Sequence, residues 1–361
     1  MNDLAMNDLI DQAKDVREGE ALDTIKVGAF FKDHLSVERE SIEVKQFPRG
    51  FSNLTYLIII GDREFILRRP PFGKKAKTAH DMSREYKILS ALYPVFPYCP
   101  KPLAFCDDQS IMGCDFYVME AIRGIILRRS LPDKLNMTAA DVRHLCENSI
   151  KVLCDLHDIN YEAIGLGDFG KAEGYVRRQV EGWSRRYRNA RTDDAPDCET
   201  VMAWLLDNMP PNQSEQSACI IHNDFKFDNL VLNPDNPLEI IGVLDWEMAT
   251  LGDPLMDLGS SLGYWIQADD PEEQLMIRTL PTDAQGMMTR QEVVDYYNIR
   301  RGIKADDFNF YYIFGTFRLA VIAQQIYYRY YHGQTKDKRF GMLIAAVQIL
   351  ERIALKAMDN G

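Results

Sequence analysis

His222, Asp224, Lys226 and Asn229 stand in one short run, HNDFKFDN, and Asp245 follows behind the apolar pair Val243-Leu244. Phosphoryl transfer to a hydroxyl asks for this set of groups. A carboxylate must orient the nucleophile and accept its proton, a cation must offset charge on the transferring oxygens, and an amide and a second carboxylate must hold Mg²⁺. Asp224 is the expected base and Lys226 the expected cation. Asn229 and Asp245 are the expected magnesium ligands, since hard oxygen donors suit that ion. His222 is expected to support the loop by hydrogen bonding. Turn formation alone explains the later Asn233-Pro234-Asp235-Asn236-Pro237, but not a histidine, a carboxylate and an amide at these offsets.

Such groups need a scaffold, and the texture of the chain changes along its length. Residues 1–40 read as one or two charged amphipathic helices, with Ile25, Val27, Phe30, Phe31 and Leu35 as apolar contacts. Strand signals follow at Ile42–Val44, Tyr56–Ile60 and Glu64–Arg68, with Gly61-Asp62 marking a hairpin. A helix is expected over about 80–92, then strands near 102–107 and 115–120. From about Asp141 onward the chain is mainly helical, and the aromatic-rich 308–331 reads as a buried helix. The expected architecture is α+β and bilobal. It divides into an extension over 1–40, a nucleotide-binding lobe of antiparallel sheet plus helix over 41–120, a hinge over 121–124, and a larger helical lobe over 125–361 that carries the catalytic loop and acceptor site.

Further site residues follow from that layout. Before the first hairpin, Arg49–Tyr56 could lay a turn over phosphates, with Ser52 and Asn53 as donors, although a lone Gly50 equally suits an ordinary turn. Arg68, with Arg69 as the alternative, would supply the cation for the α- and β-phosphates, as a planar fork rather than an ammonium. Glu85 would steady that cation; the competing reading is a solvated helix position served by Arg84 or Lys87. The end of the strand at Glu120, with Ile122 beyond it, would offer backbone to an adenine edge.

These residues resemble the aminoglycoside phosphotransferase/choline kinase family, relatives of the protein kinases. The resemblance runs from about Gly50 to Gly259 through Ser52-Asn53-x-Thr-Tyr, HNDFKFDN (222–229) and LDWEMATLGDPLMDLG (244–259). FILRRPPFGKKAKTAHDMSREYKIL (65–89) is similar to one subgroup, the kinase-like portion of certain fused acyl-CoA dehydrogenases, in which an arginine at position 68 is expected. The resemblance implies a protein-kinase-like fold, ATP, Mg²⁺ and a small-molecule hydroxyl as acceptor. The subgroup implies a hydroxyacyl thioester.

One observation on the acceptor is independent of the resemblance. Residues 175–191 hold six arginines and one glutamate in a chain of formal net charge −12. Arg178, Arg185 and Arg186 are the acceptor candidates. Either they form a solvated face, or they receive an anionic acceptor such as a hydroxyacyl-CoA, with its phosphates. The alternatives are an aminoglycoside, choline or amino-sugar kinase, whose acceptor pocket would be acidic, and a non-catalytic nucleotide-binding scaffold. The acidic balance argues against nucleic acid. No run reaches the roughly 18 apolar residues of a membrane span, and the opening residues lack the apolar stretch of a signal peptide. Seven cysteines without Cys-x-x-Cys spacing suggest reduced thiols and a cytoplasmic setting. Oligomeric state is not legible.

Overall fold

The computed structural model describes residues 9–37, 41–48, 53–71, 81–210, 218–303 and 307–359 of the 361-residue chain. In chain order the elements are α1 (Thr24–Leu35), β1 (Ile42–Gln46), β2 (Leu54–Ile60), β3 (Arg63–Arg69), α2 (Met82–Leu92), β4 (Pro102–Cys106), α3 (Gln109–Met112) and β5 (Phe116–Glu120). Then come α4 (Ala139–His157), α5 (Tyr175–Ala190), α6 (Glu199–Asp207), β6 (Cys219–Ile221), β7 (Leu230–Leu232), β8 (Ile240–Val243) and β9 (Thr250–Gly252). The chain continues through α7 (Pro254–Leu262), α8 (Glu272–Ile277), α9 (Arg290–Arg301), α10 (Asn309–Tyr331) and α11 (Leu343–Asp359).

These elements form two compact units. The first comprises residues 1–126, 164–166 and 230–249; the second comprises 127–163, 167–229 and 250–361. The division is therefore not one cut near residue 124. The β7–β8 hairpin belongs with the first unit for a physical reason: the Ile125 and Leu232 backbones exchange hydrogen bonds of 3.0 and 2.8 Å, and the Val243 N–H donates to Tyr98 O at 2.8 Å.

In the first unit an antiparallel sheet of order β1-β2-β3-β5-β4 is the frame. Strand β2, LTYLIII, is rich in branched residues that suit a pleated surface. A two-residue turn with Gly61 at φ 58° pairs Ile60 with Arg63. Alternation sends Tyr56, Ile58 and Leu67 into a core with Phe116 and Val118, onto which α1 packs Val27, Phe30 and Phe31. Ile25, expected among those contacts, is instead 74% exposed. On α2, capped by Asp81, the buried stripe is Met82, Glu85, Leu89 and Leu92, so helical spacing alone drives one acid inward.

In the second unit α7 and α10 pack closely. A Cβ on Gly315 would lie 1.9 Å from Gly259 O, so only glycine permits this approach. The aromatic helix α10 is largely buried, in keeping with its sequence.

Candidate active site

The first unit carries a cation among carboxylates. Arg68 on β3 stands 2.8 Å from Glu85 Oε1, 3.0 Å from Asp245 Oδ1 and 4.0 Å from Glu247 Oε2. Arg68 and Glu85 are 8% and 2% exposed. A buried ion pair is weak evidence for stability, because desolvation opposes the Coulomb gain. Burial pushes the Glu85 carboxyl up against the pull of Arg68. For Arg68 burial opposes the charge, yet Glu85, Tyr117, Asp245 and Glu247 outweigh it and hold the guanidinium charged. Of the competing partners considered for Glu85, Arg84 reaches Ala249 O at 3.2 Å instead. The alternative cation, Arg69, donates to Pro70 O at 3.1 Å.

Asp245 leaves β8 in the left-handed region, φ 69°. Aspartate tolerates that conformation better than branched residues, and such outliers gather at functional positions. Two residues on, Glu247 accepts a 2.9 Å hydrogen bond from Asn53 Nδ2. Glu247, not among the candidate site residues, is half-buried and tied to both Asn53 and Arg68. Ser52 lies outside the described residues. Glu120 ends β5 exposed, with its N–H on Lys101 O and its carboxylate 3.7 Å from Lys101 Nζ. Ile122 packs against Gly242, where an added Cβ would meet its Cδ1 at 2.9 Å.

The second unit carries the loop 222–229. Its foundation is Asp257 on α7, fully buried, which accepts the backbone N–H groups of His222 and Asn223 at 2.7 Å each. His157 Nε2 lies 3.1 Å from the same carboxylate, and Tyr297 Oη lies 2.7 Å from His157 Nδ1. A neutral imidazole satisfies both partners: Nε2–H donates to Asp257 while Nδ1 accepts from Tyr297. Burial lowers the His157 pKa, although Asp257 pulls the other way.

Above this clamp the loop turns sharply at Asn223, φ 63°. The Asp224 N–H donates to His222 Nδ1 at 3.2 Å, so this histidine braces the loop. Phe225 and Phe227 are buried anchors on either side of Lys226. The Lys226 ammonium lies 3.1 Å from Asp224 Oδ2, 3.8 Å from Asp228 Oδ1 and 4.6 Å above the Tyr264 ring. Burial opposes its charge, but Tyr264, Asp224 and Asp228 outweigh it and raise its pKa above the usual lysine value. Asn229 Nδ2 donates to Asp224 O and Oδ2 at 2.8 and 3.0 Å. Its amide oxygen is therefore the end suited to a cation.

The candidate ligands fit magnesium by donor type: a carboxylate from Asp245 and an amide oxygen from Asn229. Among the described residues no three His, Cys, Asp or Glu side chains form a metal cage. Magnesium is ordinarily held by one or two carboxylates plus substrate phosphates rather than by an all-protein cage.

The three arginines singled out on α5 diverge. Arg178 donates to the carbonyls of Lys171 and Glu173 and fastens the start of its helix. Arg186 lies over the Trp183 ring, 4.6 Å from its centroid, with Arg185 beside it. Two residues of this unit, Asp257 and Arg318, were not among the candidate site residues. Arg318 donates to Asn223 O at 2.6 Å. The sequence did hold a signal for each. Asp257 has no cation at three or four positions either way, and α10 contains Arg318 but no acid.

Comparison with known proteins identifies the family. A model of the phosphotransferase enzyme family matches residues 43–285. Human acyl-CoA dehydrogenase family member 11 is 32% identical over 342 residues, covering 92% of this chain and 43% of that protein. Mouse acyl-CoA dehydrogenase family member 10 is 36% identical over 298 residues, covering 82% of this chain and 27% of that protein. The chain thus spans less than half the length of these relatives. Among solved structures, a Ralstonia eutropha JMP134 protein provisionally named an aminoglycoside phosphotransferase is 30% identical, with TM-score 0.78 and coverage of 94% and 99%. Choline kinase from Cryptosporidium parvum Iowa II shares the fold at 14% identity, TM-score 0.63, with coverage of 94% and 96%. The fold class is α+β and protein-kinase-like.

Proposed function

The chain belongs to the phosphotransferase enzyme family, and from that footing we propose that it transfers the γ-phosphoryl group of ATP to a hydroxyl of an anionic small molecule. A hydroxyacyl-CoA is the acceptor we favour. The observation that carries the reading is the presentation of Asp224. Its loop is clamped by the buried Asp257 through two 2.7 Å hydrogen bonds, and the Lys226 ammonium lies 3.1 Å from its carboxylate.

In this reading Asp224 accepts a hydrogen bond from the acceptor hydroxyl and takes its proton as the new O–P bond forms and the bond to the β,γ-bridging oxygen breaks. Lys226 offsets charge on the phosphoryl oxygens. Arg68, steadied by Glu85, offers a fork to the α- and β-phosphates. Asn229 and Asp245 would hold Mg²⁺, which when bound supplies charge neutralisation at the phosphates. Asn53 is the donor left from the turn before β2, and the chain from Glu120 to Ile122 would meet the adenine edge. The names of the curated relatives and the α5 arginines favour an acyl-CoA-like acceptor over a cationic antibiotic. Seven buried free thiols suit a reducing, cytoplasmic setting.

Calorimetry with ATP and Mg²⁺ tests the assignment. Asp224→Ala should bind nucleotide as the parent does and lose turnover, while Asp245→Ala should lose Mg²⁺-dependent nucleotide binding. A parent protein that binds no nucleotide in the presence of Mg²⁺ would overturn the reading.

A further inference from the structure

The arginines of α5 are not equivalent. Arg177 pairs with Glu181 at 3.5 Å, and Arg188 grips Glu199 through two bonds of 2.8 and 2.6 Å. Arg178 is spent on backbone carbonyls. Among the described residues Arg185 and Arg186 form no ion pair with a carboxylate. Arg186 lies over the buried indole of Trp183, and Arg318 lies over the same ring at 5.1 Å.

This cluster adjoins the loop that carries Asp224. Arg318 reaches the carbonyl of Asn223, the residue before Asp224, at 2.6 Å. Tyr264 lies within the electrostatic reach of Lys226, Asp224 and Arg318 together. Burial, and repulsion from Arg185 and Arg318, lower the Arg186 pKa. Cations gathered on an apolar ring repel one another unless an anion joins them. The indole holds the guanidinium planes in place, which prepares them for bidentate contact with a phosphate or carboxylate.

We propose that Arg186, with Arg185 and Arg318 around Trp183, forms a subsite that binds an anionic group of the phosphoryl acceptor. This rests on the phosphotransfer reading and assigns the acceptor specificity within it. Phosphate and carboxylate share the recognition chemistry, and the test separates them. The full chain, saturated with ADP and Mg²⁺, is titrated calorimetrically with coenzyme A, pantetheine and 4-hydroxybutyrate. Coenzyme A binding above pantetheine identifies a phosphate handle, and 4-hydroxybutyrate binding a carboxylate one. Either anion should lose about tenfold in affinity in Arg186→Ala, the loss of one charge-assisted fork. Arg186→Lys should recover part of it, and Arg188→Ala should match the parent. Equal binding of pantetheine and coenzyme A with none of 4-hydroxybutyrate, no binding of either anion, or unchanged affinity in Arg186→Ala would each overturn the subsite. The ADP·Mg²⁺ binding that precedes each titration keeps that failure apart: its absence would overturn the phosphotransfer reading itself.

Discussion

Replacing Asp257 tests how the loop is held. Its carboxylate accepts two backbone N–H groups at 2.7 Å and faces His157 Nε2 at 3.1 Å, with no exposed surface. Asp257→Ala leaves those backbone donors buried without partners, at about 1–3 kcal/mol each. Adding the orphaned imidazole at a similar cost gives a loss of about 3–9 kcal/mol, a large part of the roughly 5–15 kcal/mol that stabilises a typical domain. Asp257→Asn keeps volume but turns one end into a donor, so it should lose less. Urea unfolding followed by fluorescence reads this directly, since Trp183 and Trp265 are buried in the same unit. The pH dependence has a definite sign. Burial works against the Asp257 carboxylate, but the bonds from His157 and the loop hold its pKa below the ordinary 3.8. Its contribution is therefore full above that pH and lost as pH falls through the depressed value. His157, lowered from 6.5 by burial, adds a second decline: below 6.5 the unfolded imidazole takes a proton that the folded one refuses. In Asp257→Ala the first decline should vanish and the second should reach to lower pH, because the substitution removes a group that raises the His157 pKa. A loss under about 1 kcal/mol, or full turnover in the variant, would refute the clamp.

Arg68→Lys should fold yet bind ATP·Mg²⁺ about ten- to a hundredfold more weakly. A single ammonium cannot reproduce a fork that meets Glu85 and Asp245 at 2.8 and 3.0 Å; unchanged calorimetric affinity would contradict this. Asp253 caps α7 through Leu255 N–H and Met256 N–H, and burial raises its pKa to about 6. A raised folded value means that its contribution is present below the unfolded 3.8 and lost as pH rises through about 6. Asp253→Asn keeps the cap and should gain roughly 1.5–3 kcal/mol over the parent at pH 8 but little at pH 4, by urea midpoints at both. An equal gain at the two pH values would count against it.

What the sequence made legible was local. His222, Asp224, Lys226 and Asn229 share one loop, and the strand and helix periods around Arg68 and Glu85 put those two side chains on facing surfaces. Less was legible where the partner is remote. Asp257 acts 35 and 34 positions from the N–H groups it accepts, and Arg318 acts 95 from its carbonyl. No spacing rule reaches across such separations. In both cases the clue was a charge without a local reason: an acid on an apolar helix whose cap was already filled by Asp253, and a cation on a helix without acids.

Buried charges explain the strain at two of the non-glycine residues with left-handed backbone. Asn223 and Asp245 are non-glycine residues at φ 63° and 69°, and each adjoins a group tied to a buried ionic partner. Asn223 is pinned from both sides, its N–H by Asp257 and its carbonyl by Arg318. Asp245 is pinned by Arg68, itself paired with Glu85. A left-handed backbone costs of order 1–3 kcal/mol and persists only where its surroundings over-determine it. Buried charges provide that constraint, because breaking any one of them strands another in a low-dielectric interior. Their return is geometric: they keep one carboxylate and its loop, and one strand end, in orientations that a relaxed turn would not hold.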